Sequence, residues 1–502
     1  MIDTEALRKK ILDFAIEGKI TERDDEANTS ELFMLIQQEK AYQLKNGLLK
    51  KTKEFPQITQ DKIPGKFPEE WHVCYIDDIA FVTKLAGFEY TKYIADNIQS
   101  EGIPLFKGKN VQHGELVLEF ESYIPQSVSD ELPRSQLKKK CLLTPYVGTI
   151  GNIAIFESEF DAHLGSNVGK IELLNSENEK FLLEEYVLYY LRSSYGFAEL
   201  TKHRKATAQD SISIEAIRNV IIPIPSLKEQ RAIVDKVDEI LVQLEVLDEL
   251  QQQYSSDLEV LKSKIIDAGI QGKLTEQLPE DGTAEELLKQ IDDEKKKLIK
   301  EKKIKATEAL PEITEDEIPF EIPDNWKWVR LEGLTANISI PMADGPFGSN
   351  LKKEHYTENK EVRIIQLSNV GSEGWRNENV KYTTFAHLKT IERSAVNAGD
   401  IVIAKMMPAG RAIIVPDIEK QFVLSSDCVK FVPHSCVLTS YLNYAINSEM
   451  FRKQVFGTIT GVGRERTSLS KLKNFLIPVP PYAEQVRIVN KISDAMETVA
   501  NM

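Results

Sequence analysis

Several stretches of this 502-residue chain carry residue types that could make or break bonds, and each lacks a part that the chemistry needs. "VPPY", Val479 to Tyr482, approaches the Asp/Asn-Pro-Pro-aromatic loop in which amino methyltransferases hold their target amino group. Val479 stands where the hydrogen-bonding Asp or Asn must be, so proline punctuation at a helix start is the better reading. "GKIT" at 18 and "GKLT" at 272 have neither the upstream glycine spacing nor the Lys-Ser/Thr adjacency of a phosphate-cradling loop, and read as helix C-terminal turns. Cys74, Cys141, Cys428 and Cys436 show no CxxC spacing and have no histidines at finger spacing, so neither metal ligation nor disulfides are expected. No Ser/His/Asp set and no glycine-rich methyl-donor fingerprint follows a strand. What remains is polar recognition chemistry on loops. Lys107, Lys109 and Asn110 align with Gln366, Ser368 and Asn369, and "YVGTIGN" (Tyr146 to Asn152) aligns with "KMMPAGR" (Lys405 to Arg411).

Those alignments rest on an internal repeat. "IIPIPSLKEQRAIVDKV" from Ile221 returns as "LIPVPPYAEQVRIVNKI" from Leu476, and "LRKKILDFAIEGKIT" from Leu7 returns as "LKSKIIDAGIQGKLT" from Leu261. "PQITQDKIPGKFPEEW" matches "PEITEDEIPFEIPDNW", which places Trp71 on Trp326. A period this long excludes a solenoid; each copy is a full unit of domain, helix and linker.

The positioning elements follow from apolar spacing. Ile233, Val237, Ile240, Leu244, Leu247, Tyr254, Leu258, Leu261, Ile265 and Ala268 alternate steps of four and three, with Gln251 as the polar interruption. That pattern predicts a helix about 50 Å long at ~1.5 Å per residue, with an apolar seam that needs a partner helix. The second copy of the helix is split between the chain ends: Ile488, Ile492, Ala495 and Val499 reproduce the seam up to Met502, and Leu7, Ile11 and Phe14 continue it. The repeat is therefore circular, and two antiparallel helices related by a pseudo-two-fold axis are expected. Charged helices near 30 to 50 and 284 to 305 and proline-rich arms lead into globular segments near 72 to 222 and 327 to 477. Short β-branched runs ("ELVLEF", "NIAIF", "DIVIA", "RAIIV") and one apolar helix each mark these segments as α+β. Inside them the two copies diverge far more than in the helices and arms.

Composition is that of an ordinary globular chain, 42% hydrophobic and 28% charged. No apolar run approaches a membrane span, and the charged N-terminus lacks a signal-peptide core, so a cytoplasmic protein without membrane contact is expected. The net charge of −15 argues at first against nucleic acid, but the average hides local basic patches such as "KKK" at Lys138 and "HRK" at His203.

The order and duplication of several phrases carry a family resemblance. They are the two "IP-P…EQ…IV" clauses, the "I-GKLT" helix end, the "IP-EIPDNW" arm, "TKLAGFEYTKYI", "DGPFGSNLK", and the pair "GIPLFKGKNV" and "VRIIQLSNV". With them the chain resembles, over essentially its whole length, the specificity subunits of type I restriction-modification systems. The resemblance implies two α+β target recognition domains, at 71–225 and 326–480, separated by a long antiparallel two-helix coiled coil. Residues 226–325 then form the central conserved helix and arm, and 1–70 and 481–502 the distal helical region. It implies a non-catalytic subunit that reads the two halves of a bipartite double-stranded DNA site and docks two adenine-N6 methyltransferase subunits and restriction subunits. No cofactor of its own is expected; S-adenosylmethionine, ATP and Mg belong to the partners. The rival readings are a stand-alone methyltransferase or nuclease, which lacks an active-site motif, and a coiled-coil scaffold, which leaves two unlike heads unexplained.

Base edges are read by planar amides and guanidiniums, and phosphates by Lys, Arg, Ser and Thr. On that basis the expected contacts in the first head are Lys107, Lys109, Asn110, Tyr146, Thr149, Asn152, His203, Arg204, Lys205 and Gln209. In the second they are Ser349, Lys352, Gln366, Ser368, Asn369, Trp375, Lys405, Arg411, Arg464, Arg466 and Thr467.

Overall fold

The computed structural model describes the whole chain except residues 24–27, 113, 158, 205–209, 307, 407–408 and 459–465. It divides into two units, Met1–Gln252 and Gln253–Met502. The boundary falls inside a single 44-residue helix, Leu227–Ile270, which contains the whole apolar stripe read from the sequence.

In the first unit the N-terminal helix Thr4–Ile16 lies antiparallel to the long helix. Ile2 N–H donates to Gln251 Oε1 (2.5 Å) and Arg8 pairs with Asp248 (2.8 Å), while residues 20–23 lie beside 228–239. In the second unit the C-terminal helix Tyr482–Ala500 runs the same way against the other end. Gly269 touches Ile488 and Ile492, and Thr275 Oγ1–H donates to Glu484 Oε1 (3.0 Å). Ile233, Val237, Leu244, Ile488, Ile492 and Val499 are buried, and Ile240, Leu247, Leu258, Ile265, Leu7 and Ile11 are half-buried.

Tyr254, Leu261 and Phe14 correct the predicted seam, for all three are exposed. A 3.6-residue helix drifts against a strict 4-3 pattern unless it supercoils. Here the buried line passes to Gly269 and Ile270, where the glycine lets the C-terminal helix close in: a Cβ at Gly269 would sit 2.8 Å from Ile492 Cδ1.

Each head is fastened by the duplicated clause. Ile221–Ile224 pairs antiparallel with His72–Tyr75, and Leu476–Val479 with Lys327–Arg330, so the chain enters and leaves each head on neighbouring strands. Past the strand, Gln230 is fully buried. Its Oε1 accepts the Leu183 N–H (2.9 Å) at the start of the head helix Glu184–Arg192, and its Nε2 donates to Pro225 O (3.1 Å). Gln485 repeats both bonds, to Leu438 N (2.8 Å) and Pro480 O (2.9 Å), at the helix Thr439–Asn447. Tyr186 and Tyr441 hydroxyls donate to Pro223 O and Pro478 O, each at 2.7 Å. "VPPY" is thus the end of a strand and the cap of a helix, with Pro481 at the N-cap.

The glycines of "GKIT" and "GKLT" end their helices with φ of +67° and +71°. The amides after them, Lys19 N–H and Lys273 N–H, donate back to Phe14 O and Ala268 O, each 2.9 Å. A Cβ would meet Pro68 Cγ at 2.8 Å or Pro323 Cγ at 2.7 Å, beside Trp71 and Trp326. Glycine is required twice, to take a left-handed turn and to let the arm pass.

The first head holds two four-stranded sheets. One runs in the order Ala80–Lys84, Val168–Leu173, Cys141–Pro145, Ala154–Phe156. The other runs Tyr123–Ile124, Ile103–Phe106, Ala162–Leu164, Gln136–Leu137, with a parallel central pair. The second head repeats the first sheet with Met342–Asp344, Cys428–Phe431, Ile401–Ala404 and Ala412–Ile414. Its other sheet gains an edge strand, Tyr356–Thr357, for five in all. "ELVLEF" is a correction. It forms one isolated bridge, Val111 to Leu116, because the Asn110 amide donates to the carbonyls of Val117 (2.8 Å) and Glu119 (3.0 Å) that a ladder would need. The cysteines are unpaired thiols; Cys74, Cys141 and Cys428 are buried, and burial pushes Cys141 and Cys428 up to about 12.

Candidate nucleic-acid interface

In the first head the loops that follow the strands meet at one corner. Tyr146 N–H donates to Asn167 O (3.0 Å), Ile212 N–H to Tyr146 O (2.9 Å), Gly148 N–H to Asp210 O (2.9 Å) and Gly108 N–H to Ser166 O (3.2 Å). The loops at 107–110, 145–152, 165–167 and 210–212 are thus stitched together. In the second head the stitches recur at matched positions: Lys405 N–H donates to Asp427 O (2.9 Å) and Thr467 N–H to Lys405 O (3.0 Å), and Met406 bridges Arg466.

Several residues expected to touch DNA are committed inside the protein. Asn110 and Asn369 are buried posts: each Oδ1 accepts an N–H three residues back, of Lys107 (3.0 Å) or Gln366 (2.8 Å). Each Nδ2 donates to two carbonyls, in the second head those of Arg376 (2.9 Å) and Glu378 (2.7 Å). Both donors of each side-chain amide are thereby used. Thr467 is buried, and Trp375 packs edge-on against Phe422 at 5.9 Å. Lys405, 14% exposed, is held by Asp344 Oδ1 at 2.6 Å. The Asn152 amide donates to Val111 O (3.1 Å), Lys107 Nζ to Ser122 Oγ (2.8 Å), and Gln366 Nε2 to Asn379 O (2.8 Å). Lys109 pairs with Glu121 and Arg204 with Asp210, both at the surface.

Thr149, His203, Ser349, Lys352 and Arg466 are exposed, and Ser368 is half-exposed. Tyr146 is half-buried, and burial raises its hydroxyl above the ordinary value. Arg411 faces a recess of about 1000 Å³ beside Glu259 and Lys262 of the long helix, and its guanidinium makes no hydrogen bond or ion pair among the described residues. Burial lowers its guanidinium, helped by Arg376 and Arg452. Lys205, Gln209 and Arg464 lie outside the described residues.

Sequence reading missed Lys84 and Asp344. Lys84 pairs with Gly169 and Asp344 with Val429, the same rung of the same sheet, and both side chains enter the corner. Lys84 Nζ lies 4.3 Å from the Tyr146 ring centroid, where Asp344 instead grips Lys405. The signal was present in "TKLAGF" and "ADGPF", two unlike phrases that end the same strand.

The comparisons with known proteins agree with this architecture. The profile of the type I restriction modification DNA specificity domain matches residues 68–253 and again 324–502. The EcoAI specificity subunit of Escherichia coli is 25% identical, with 98% of this chain and 89% of the relative aligned. The EcoEI specificity subunit of the same species is 23% identical, with 97% and 88% aligned. A chain from a solved type I restriction-modification assembly superposes with a TM-score of 0.54 at 15% identity, covering 86% of this chain and 92% of the other, a likeness of fold. Among the described residues no helix is long and apolar enough to cross a membrane. Matched twice and across most of its length, the chain belongs to the family of type I restriction-modification DNA specificity subunits, non-catalytic components of that enzyme.

Proposed function

We propose that each head reads one half of a bipartite DNA site and that the long helix docks two adenine-N6 methyltransferase subunits and, in a larger complex, restriction subunits. S-adenosylmethionine, ATP and Mg would be used by those partners, in the cytoplasm. The observation that carries this reading is the pairing of duplicate fastenings with unlike corners. Gln230 and Gln485 make the same bonds, whereas Lys84 over Tyr146 and Asp344 on Lys405 put different groups at one position. Docking is supported by Val242, Val246 and Leu250, exposed apolar residues one helical turn apart on the long helix. The open side chains of Thr149, His203, Ser349, Lys352, Ser368, Arg411 and Arg466 would supply further DNA contacts.

Because each head begins and ends on paired strands, it can be exchanged as a block. Replacing residues 72 to 222 with the head of a relative, and mapping methylated adenines in cells that express the chain with its methyltransferase, should change one half-site only. A simultaneous change in both halves would defeat the two-head reading.

A further inference from the structure

Among the described residues, the most exposed aromatic side chain of each head follows the end of the same strand. Phe88 is 71% exposed and Phe347 82% exposed. A single exposed phenylalanine requires no explanation. These two follow Lys84 and Asp344, the matched ends of matched strands, by four and three residues, inside heads whose other loops diverge. Both are held out by pinned backbone. In the first head, Glu89 is buried next to Phe88; it accepts from Ala86 N–H (3.0 Å) and pairs with Arg134 (2.7 Å). In the second, Gly345 N–H donates to Cys428 O (3.0 Å), and a Cβ at Gly345 would lie 1.7 Å from Ser425 O, so only glycine brings the chain through to Phe347.

Four residues before Phe88 and three before Phe347 stands a polar group, of opposite kind in the two heads. Lys84 is spread over the Tyr146 face and has no ion pair among the described residues, so its ammonium is a positioned donor. Asp344 spends Oδ1 on Lys405 and remains 44% exposed, and its Oδ2 has no partner among the described residues. A phenylalanine suits the thymine methyl at a base-pair edge. Lysine suits the N7 and O6 acceptors of guanine, and a carboxylate suits the amino group of cytosine.

Resting on the reading of the heads as DNA-binding modules, we propose that this corner is a base-contacting site in each head. Phe88 and Phe347 supply a shared apolar contact, and Lys84 and Asp344 supply the group that sets the base preferred, acceptor-reading in the first half-site and donor-reading in the second. The phenylalanines act on affinity, and the residues at 84 and 344 act on choice.

The test uses the full chain with its methyltransferase, assayed by methylation rates on a set of duplexes in which each base pair of both half-sites is varied. Lys84→Met keeps the stem on Tyr146 and removes the donor. It should cut discrimination at one base pair of the first half-site by roughly ten- to a hundredfold, leaving the second half-site intact. Asp344→Asn should do the same at one pair of the second. Phe88→Ser should slow methylation of every duplex by a common factor with base preferences unchanged. Unchanged preferences in both Lys84→Met and Asp344→Asn would overturn the proposal while head exchange still moved a half-site. If head exchange moved no half-site, the broader reading would fail instead. Melting curves and co-purification with the methyltransferase separate misfolding; a variant that fails them is replaced by Lys84→Gln or Asp344→Ser, and uniform loss of discrimination at all positions would also refute the assignment.

Discussion

The two heads agree where they are fastened and disagree where they are open. Gln230 and Gln485 each accept one head-helix N–H and donate to one proline carbonyl, and Tyr186 and Tyr441 make the same 2.7 Å bond. Asn110 and Asn369 post the same loop in the same way. At the corner the shared backbone bonds of Tyr146 and Lys405 present a lysine over an aromatic ring in one head and a carboxylate-lysine pair in the other. The difference teaches where sequence freedom is allowed. Buried amides that both donate and accept leave little room for change, whereas solvent-facing strand ends can exchange one charge for another at the cost of a surface pair.

The fastenings give the strongest way to break that comparison. Gln230→Ala and Gln485→Ala each orphan a buried N–H and a buried carbonyl and leave a cavity, so each should destabilise its unit by about 2–4 kcal/mol. Urea unfolding of the two variants reads this directly. Similar losses in both would bear out the equivalence of the fastenings, and a loss confined to one would show that the duplicated clause does different work in the two units.

A smaller effect is expected at the asparagine posts. Asn110→Ala and Asn369→Ala each remove three hydrogen bonds, but the loops they hold are partly open to water, so about 1–3 kcal/mol should be lost locally. Amide exchange is the measurement: protection should fall at Val117 and Lys107 in one variant and at Arg376 and Gln366 in the other. Unaltered exchange would mean that the surrounding strands, and not the posts, hold the loops.

The sequence disclosed the fastenings because they are local phrases copied intact: a proline strand, an EQ pair four to six residues on, a glycine at each helix end. It disclosed the long helix because apolar residues recur in steps of four and three from Ile233 to Ala268. It failed at "ELVLEF", where alternating apolar residues promised a strand and Asn110 had already taken the carbonyls. Tyr254 and Leu261 failed because helix drift over several turns is not visible in spacing alone. The corner was the hardest to see. Lys84 and Asp344 stand in unlike phrases of unequal spacing, and their rungs opposite Gly169 and Val429 place them at one position.

The smallest effect sharpens the comparison at the head helices that the terminal and long helices cap. Asp13 accepts both the N–H (2.7 Å) and the hydroxyl (2.8 Å) of Ser194, while matched Asp267, among the described residues, accepts the Glu449 N–H alone (2.9 Å). Burial raises the Asp267 carboxyl above its ordinary 3.8, the Glu449 N–H bond and nearby Arg452 and Lys453 opposing it. The folded chain therefore holds that proton more tightly than the unfolded chain does. The stability from this group is present in acid and is lost as the pH rises through the raised value. Asp267→Asn keeps the acceptor for Glu449 N–H and removes the titration, so its stability relative to wild type should rise as the pH climbs from below the ordinary 3.8 through the raised value and then level off. Asp13→Asn, which gives up the acceptor of the Ser194 hydroxyl, should lose stability at neutral pH. Urea midpoints for both variants across that range decide it: a flat difference for Asp267→Asn would mean that its carboxylate is solvated well enough to titrate as in the unfolded chain.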